Sequence, residues 1–184
     1  MLPPKDRLTV CFAHVAYRFG ERFPLRDTGI AFVEVRDRAG LEARIGEADV
    51  VVVSGLWKND LAPKAKKLRF IQSISAGVDQ YDKEVLRAHG IRLASAQGAN
   101  ANAVSEHGMA LILAIARRIP EAVRNQGKRF WRGMIGDLTQ REDELGGKTL
   151  LVVGIGRIGG GAARGAPAVA MRGVCGPPGP PPRA

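Results

Sequence analysis

The strongest chemical signal in this chain is a strict glycine spacing: Gly154, Gly156 and Gly159. The glycines follow Lys148-Thr149 and the apolar run Leu150-Leu151-Val152-Val153. A buried-type strand running into G-x-G-x-x-G is the fingerprint of a dinucleotide-binding βαβ unit. Its first glycine makes the turn, its second lets the backbone approach a pyrophosphate, and its third packs helix on strand. Arg157 and Ile158 would then offer backbone amides from the helix N-terminus. The fingerprint also requires a helix, a second strand and an acidic residue about twenty positions on. Residues 160–184 show no helical period, contain no acidic residue, and are mostly Gly, Pro, Ala and Arg. Such a segment cannot bury enough apolar surface to offset its ordering entropy. Residues 161–184 are therefore expected to be disordered, and without a three-residue glycine period they are not collagen-like.

Other reactive side chains are sparse. His14, His89 and His107 all precede the glycine turn, and His107 reads as a helix or interface residue. Cys11 lies in the apolar run over residues 8–13 and reads as a reduced core thiol, while Cys175 lies in the tail. No spacing suggests a metal site or a disulfide framework. The net charge is +10, but the basic residues are scattered: Lys64, Lys66, Lys67 and Arg69; Arg117 and Arg118; Lys128, Arg129 and Arg132. They read as solvated faces that attract small anions, not as a nucleic-acid module. No run reaches the roughly 18–20 apolar residues of a membrane span. The N-terminus lacks the apolar region of a signal peptide, so the reading is soluble and cytoplasmic.

The elements that must position these groups alternate. Residues 8–13, 30–35, 48–55, 69–75 and 91–95 read as strands. Residues 60–68 read as a short helix with Asp60 near its cap, and residues 82–89 as a helix ended by Gly90. Alternation of this kind predicts a parallel, doubly wound sheet. With aromatics at 5% the core should be mostly aliphatic. Residues 103–118 form the longest helical signal, with Asn102 as N-cap and Pro120 marking a break. Its centre is apolar nearly all round, which predicts burial on more than one side and suits a junction between domains. Residues 121–130 read as a second helix, and residues 133–147 as a polar loop.

Three segments extend the glycine signal. Ile74-Ser75-Ala76-Gly77-Val78-Asp79-Gln80-Tyr81-Asp82 resembles the strand-end turn of the D-isomer-specific 2-hydroxyacid dehydrogenases. Asn100-Ala101-Asn102-Ala103-Val104-Ser105-Glu106-His107, with the apolar helix after it, is similar to that family's interdomain helix. Residues 131–147 and the glycine turn resemble its approach to the cofactor domain. The segments occur in the family's order, over roughly residues 9–159, in a superfamily that also includes formate and phosphonate dehydrogenases.

The resemblance implies a flavodoxin-like substrate domain over residues 1–100 and an interdomain helix and linker over 101–147. It implies the start of a Rossmann NAD(P)-binding domain over 148–160, of which only the first strand and turn are expected, ahead of an aberrant tail over 161–184. It implies reversible hydride transfer between NAD or NADP and a small 2-keto or 2-hydroxy acid, in a family that is typically homodimeric. Ala76, Gly77 and Val78 match its backbone-amide cradle for the substrate carboxylate, although the turn after a strand could by itself explain Gly77. Gly154, Gly156, Arg157, Ile158 and Gly159 match its pyrophosphate turn. Asn100 and Val104 match positions near the nicotinamide, with helix packing an equal reading of Val104. The family's catalytic arginine, glutamate and histidine follow the glycine turn, and here neither His nor Glu follows Gly159. No catalytic residue is therefore carried over, including onto Arg164, Arg172 or Arg183. The expectation is an incomplete, inactive fragment, truncated or frameshifted after the turn. In it strand 150–153 would lack neighbours and helix 103–118 would expose an apolar patch. The alternative is a stand-alone flavodoxin-like module that binds a small acid, or regulates, without catalysis; a basic nucleic-acid binder ranks last.

Overall fold

The computed structural model describes residues 1–176. The chain divides into two compact units, Met1–Ala99 and Asn100–Ala184.

The first unit is a five-stranded parallel sheet in the order β2-β1-β3-β4-β5. Its strands are β1 (Thr9–Ala13), β2 (Ala31–Val35), β3 (Val50–Val53), β4 (Phe70–Ser73) and β5 (Arg92–Ala94). This is the flavodoxin-like order of doubly wound sheets. Every neighbouring pair is parallel, with Val10 opposite Val50, Val50 opposite Phe70, and Phe70 opposite Arg92. The four consecutive valines of β3 suit a strand covered on both faces, where branched side chains pack against both neighbours. Cys11, Leu41, Ile45, Val51, Val53, Leu61, Leu68 and Ile71 form the aliphatic core, joined by Trp57 and Tyr81. Phe12, Phe19, Phe23 and Phe32 form a separate aromatic cluster, with ring centroids 5.0–5.9 Å from Phe12. Asp49 stitches the strand starts together. Its carboxylate accepts from the Thr9 amide at 3.0 Å, and its carbonyl accepts from the Arg69 amide at 2.9 Å.

The helices of this unit are short: α1 (Phe19–Arg22), α2 (Arg38–Arg44) and α3 (Lys83–Ala88). Asp37 caps α2 by accepting from the Gly40 amide at 2.7 Å. Asp82 caps α3 by accepting from Glu84 and Val85 at 2.9 and 3.1 Å. Gly90, at φ +68°, ends α3 as expected. The helix expected over 60–68 is instead a 3₁₀ turn, Asn59–Lys64, with Pro63 inside it. Proline has no amide to donate to an α-helical ladder. Asp60 does not cap the turn; it pairs with Arg38 at 2.8 Å.

The second unit contains α4 (Ala101–Ala116), α5 (Ile119–Gly127), β6 (Thr149–Val153), α6 (Arg157–Gly165) and β7 (Arg172–Gly176). The N-cap of α4 is Asn100, without a side-chain cap bond, and not Asn102. The break after α4 falls at Arg118, whose φ of +48° reverses the chain, and Pro120 sits in the first turn of α5. Two expectations are corrected. Strand β6 does not stand alone: it pairs in parallel with β7 from Thr149 opposite Arg172 to Val153 opposite Gly176. Residues 161–176 are not a structureless tail, because α6 completes the crossover and the Met171 amide closes onto Ala166 at 3.0 Å. Residues 177–184 of the expected tail lie outside the described residues.

Packing of α6 on α4 explains how a helix with four glycines forms. A Cβ on Gly161 would meet the Ser105 Oγ at 2.3 Å, and one on Gly165 would meet the Met109 Cγ at 3.2 Å. Glycines four apart present one bare stripe, and α4 fills it. The Ser105 hydroxyl lies 2.8 Å from the Ala101 carbonyl and 2.9 Å from the Ile158 carbonyl. Only Ala101 and Ser105 of α4 are buried, whereas Ile115 is 74% exposed. The expected burial on several sides is therefore replaced by one covered face and an apolar patch. Strand β6 likewise alternates exposed and half-buried positions and is not a buried-type strand.

Candidate functional site

In the first unit the residues singled out by sequence lie where β3 and β4 end. Ligands of doubly wound sheets bind outside the carboxyl ends of the strands. The chain leaves β4 at Ser73 and turns through Ile74 and Ser75 into Ala76, Gly77 and Val78. The Ser54 and Ser75 hydroxyls share a hydrogen bond of 2.5 Å. The Ser73 Oγ accepts from the Ser75 amide at 3.2 Å and donates to the Ser75 carbonyl at 3.3 Å. Beyond these anchors, the amides of residues 76–80 meet no protein acceptor among the described residues. Ala76 and Gly77 are exposed and Val78 is half-buried.

Gly77 is not required by the fold. Its φ is outside the left-handed range, and an added Cβ would find Asp79 Oδ2 at an ordinary 3.4 Å. The turn would accept a side chain, which weakens the explanation that glycine merely makes the turn. A bare main chain does leave its amides open to an anion, and amides need no counter-charge to hold one.

In the second unit the three fingerprint glycines have three different reasons. Gly154 has φ +89°, which a side chain would strain. Gly156 has nothing within 4 Å of an added Cβ, so its bareness faces open space. A Cβ on Gly159 would meet the Gly154 carbonyl oxygen at 2.1 Å and Val152 Cγ1 at 3.0 Å, so Gly159 permits helix and strand to touch. Gly156 is also the N-cap of α6 and offers no side-chain acceptor. The first turn of an α-helix leaves amides without intrahelical partners, which favours an anion there. The residues present thus fit a pyrophosphate at the Gly156 end of α6. Arg157 and Ile158 open that helix.

Asn100 and Val104 lie at the N-terminal end of α4, with the Val104 amide donating to the Asn100 carbonyl at 3.0 Å. Ser105, next to Val104, reaches the carbonyl of Ile158. The start of α4 and the glycine turn are therefore brought together. Val104 is 40% exposed, so packing on its own helix does not consume it.

The histidines stand apart from these groups. His14 Nδ1 accepts from the amides of Ala16 and Tyr17 at 3.0 and 2.8 Å, and its ring stacks on Tyr17 at 4.2 Å. In the neutral ring the proton then sits on Nε2. His89 Nδ1 lies 2.9 Å from the Val85 carbonyl, and His107 is exposed on α4. Among the described residues no three His, Cys, Asp or Glu side chains cluster as metal ligands. No helix among them is long and apolar enough to cross a membrane. A concave groove of about 980 Å³ along α5, lined by Val123, Phe130, Trp131 and Met134 among others, contains none of the residues matched to the acid cradle or the glycine turn.

Two features escaped sequence reasoning. One is the Tyr81–Asn59 support of the strand-end loop. Tyr81 is buried, its hydroxyl donates to the Val53 carbonyl at 3.0 Å, and burial raises its pKa against hydrogen bonding from Ser73 and Gln80. The other is the Ser105–Gly161 contact, for which the available signal was a serine within an apolar helix and glycines four apart.

Comparison with known proteins places the chain among relatives of shared sequence and fold. The family described as D-isomer specific 2-hydroxyacid dehydrogenase, catalytic domain, matches residues 18–167. The chain is 33% identical over 132 residues to the D-3-phosphoglycerate dehydrogenase of Mycobacterium tuberculosis (strain ATCC 25618 / H37Rv), covering 71% of this chain and 24% of that protein. It is 38% identical over 131 residues to the D-3-phosphoglycerate dehydrogenase of Methanocaldococcus jannaschii, covering 70% and 24%. Among solved structures, the TT0316 protein of Thermus thermophilus superposes with a TM-score of 0.74 at 29% identity, over 96% of this chain and 58% of that one. A D-lactate dehydrogenase of Treponema pallidum shares the fold, with a TM-score of 0.76 at 24% identity, over 93% and 54%. The chain thus spans about a quarter of the length of the curated relatives it matches. With the family matched over most of its residues, and three glycines each doing what a dinucleotide turn requires, this chain belongs to the D-isomer specific 2-hydroxyacid dehydrogenases.

Proposed function

We propose that this chain provides the acid-binding unit and the first cofactor-binding turn of an NAD(P)-dependent 2-hydroxyacid dehydrogenase, whose reaction exchanges a hydride between nicotinamide and the C2 of a 2-keto or 2-hydroxy acid. The observation that carries the reading is the division of labour among Gly154, Gly156 and Gly159: strained φ, open approach and close packing. Ala76, Gly77 and Val78 hold the substrate carboxylate through their amides. Gly156, Arg157 and Ile158 receive the pyrophosphate, with Gly154 and Gly159 shaping the turn, and Asn100 and Val104 border the nicotinamide side. A bound nicotinamide dinucleotide supplies or accepts the hydride. The protein is cytoplasmic in this reading, and the homodimer typical of the family is not expected of the 184 residues alone.

These 184 residues are expected not to turn over substrate by themselves. Neither His nor Glu follows Gly159, and no acidic residue follows Glu144 to bind a ribose hydroxyl. Titration of isotopically labelled protein separates the parts. Oxalate should move the amide signals of residues 76–78, NADH or NADPH at millimolar concentration should move those of residues 156–159, and no 2-keto acid should be reduced. Absence of both shifts overturns the dehydrogenase assignment, and measurable reduction overturns the inactive reading. The non-catalytic alternative, an acid-binding or regulatory module, would show the oxalate shift alone.

A further inference from the structure

The loop that carries the amide cradle leaves the sheet at Ile74 and returns at Tyr81. Both ends are drawn to one oxygen. The Val53 carbonyl, at the end of β3, accepts from the Ile74 amide at 3.0 Å and from the Tyr81 hydroxyl at 3.0 Å. A carbonyl has two lone pairs, and here each holds one end of the loop. The return end has a second tie. Asn59 Oδ1 accepts from the Asp82 amide at 3.0 Å and from the Trp57 indole at 3.2 Å, and Asn59 Nδ2 reaches the Gln80 carbonyl at 3.5 Å. The Tyr81 amide closes its own turn onto Val78 at 3.0 Å. Between these ties the amides of residues 76–80 have no protein acceptor among the described residues.

We propose that Tyr81, with Asn59, is a positioning residue for the acid cradle: together they fix the spacing of the open amides before any ligand arrives. This rests on the cradle assignment made above. The physical argument is preorganisation. A loop of free amides held at one end only would spend part of its binding energy on becoming ordered, whereas a loop tied at both ends does not. Tyr81, which makes the first tie, and Trp57, which braces Asn59 in the second, are both buried. Neither Tyr81 nor Asn59 needs to touch the ligand. Their effect passes through the main chain of residues 76–80.

The test uses the 184-residue chain and oxalate as the probe. Tyr81→Phe removes one hydroxyl and keeps the ring in the core. Loss of a net hydrogen bond's worth of preorganisation should weaken oxalate binding about three- to tenfold. In the unliganded protein the amide signals of residues 76–80 should broaden. Asn59→Ala, at a half-buried surface position, should do the same with the hydroxyl tie intact. Leu41→Ala is the control: it opens a core cavity at α2, which makes no hydrogen bond to residues 74–82 among the described residues, and lowers stability more than either variant, yet should leave oxalate affinity unchanged. Unchanged affinity and sharp loop signals in Tyr81→Phe and Asn59→Ala overturn the proposal, as does an equal affinity loss in Leu41→Ala. If the unsubstituted chain shows no oxalate shift at residues 76–78, the cradle assignment itself fails, and this inference with it.

Discussion

Gly161→Ala should destabilise the second unit even though it replaces the poorest ordinary helix former with the best. In an exposed helix that exchange gains about 0.8–1 kcal/mol. At Gly161 the new methyl would lie 2.3 Å from Ser105 Oγ and 2.8 Å from Ser105 Cβ, inside the contact that joins α6 to α4. Ser105 is buried and its hydroxyl is engaged with the Ala101 and Ile158 carbonyls, so it has no easy way to withdraw. Overpacking of this kind costs about 1–3 kcal/mol, and the lost hydroxyl contact adds about 1 kcal/mol, so after the propensity gain the net change is a destabilisation of about 1–3 kcal/mol. Gly108→Ala is the matched comparison: nothing lies within 4 Å of its Cβ, and it should stabilise by about 0.5–1 kcal/mol. The two variants should therefore differ by about 2–3 kcal/mol, roughly thirtyfold or more in an opening constant. Hydrogen exchange at the β6 and β7 amides reads this within the second unit. Ser105→Gly should rescue Gly161→Ala more than it affects the unsubstituted chain, a coupling expected only for residues in contact. If Gly161→Ala protects those amides as well as Gly108→Ala does, α4 and α6 are not packed as described.

Two further predictions concern the first unit. Asp82→Ala removes both bonds that cap α3 and should cost about 1 kcal/mol, seen as a lower urea midpoint. Cys11 is held by burial at a pKa of about 11 instead of 9.0, so its thiol stays neutral in the folded protein. At pH 8 iodoacetamide should label exposed Cys175 and spare Cys11 until the chain unfolds. Because the folded pKa is the higher one, this contribution to stability is complete below about pH 9 and is lost as pH rises toward 11.

The sheet of the first unit was legible because its strands are short β-branched runs separated by cap and glycine signals, as around Val50–Val53 and Asp82 to Gly90. Helix α2 went unread although Asp37 caps it and Leu41 and Ile45 follow at helical spacing; it is too short for periodicity to stand out. The structure of residues 161–176 is not legible in composition because it depends on tertiary contact. Four glycines make α6 a poor helix in isolation, and those same glycines let it lie against Ser105 and Met109. The site divides similarly. Resemblance to the family's strand-end turn pointed to the amides of Ala76, Gly77 and Val78, but the side chains that tie their loop, Asn59 and Tyr81, lie 22 residues apart in sequence and act on one loop only through the fold. No local pattern marks such a pair.

The division of the chain between Ala99 and Asn100 has a consequence for how the two affinities are inherited. Every residue of the acid cradle and its ties, from Val53 to Asp82, is encoded on one side of that boundary. Every residue of the glycine turn, from Asn100 to Gly159, is encoded on the other. In the proposed reading, a single crossover at that boundary would therefore pass on the glycine turn without any residue of the acid cradle, and the cradle without any residue of the turn.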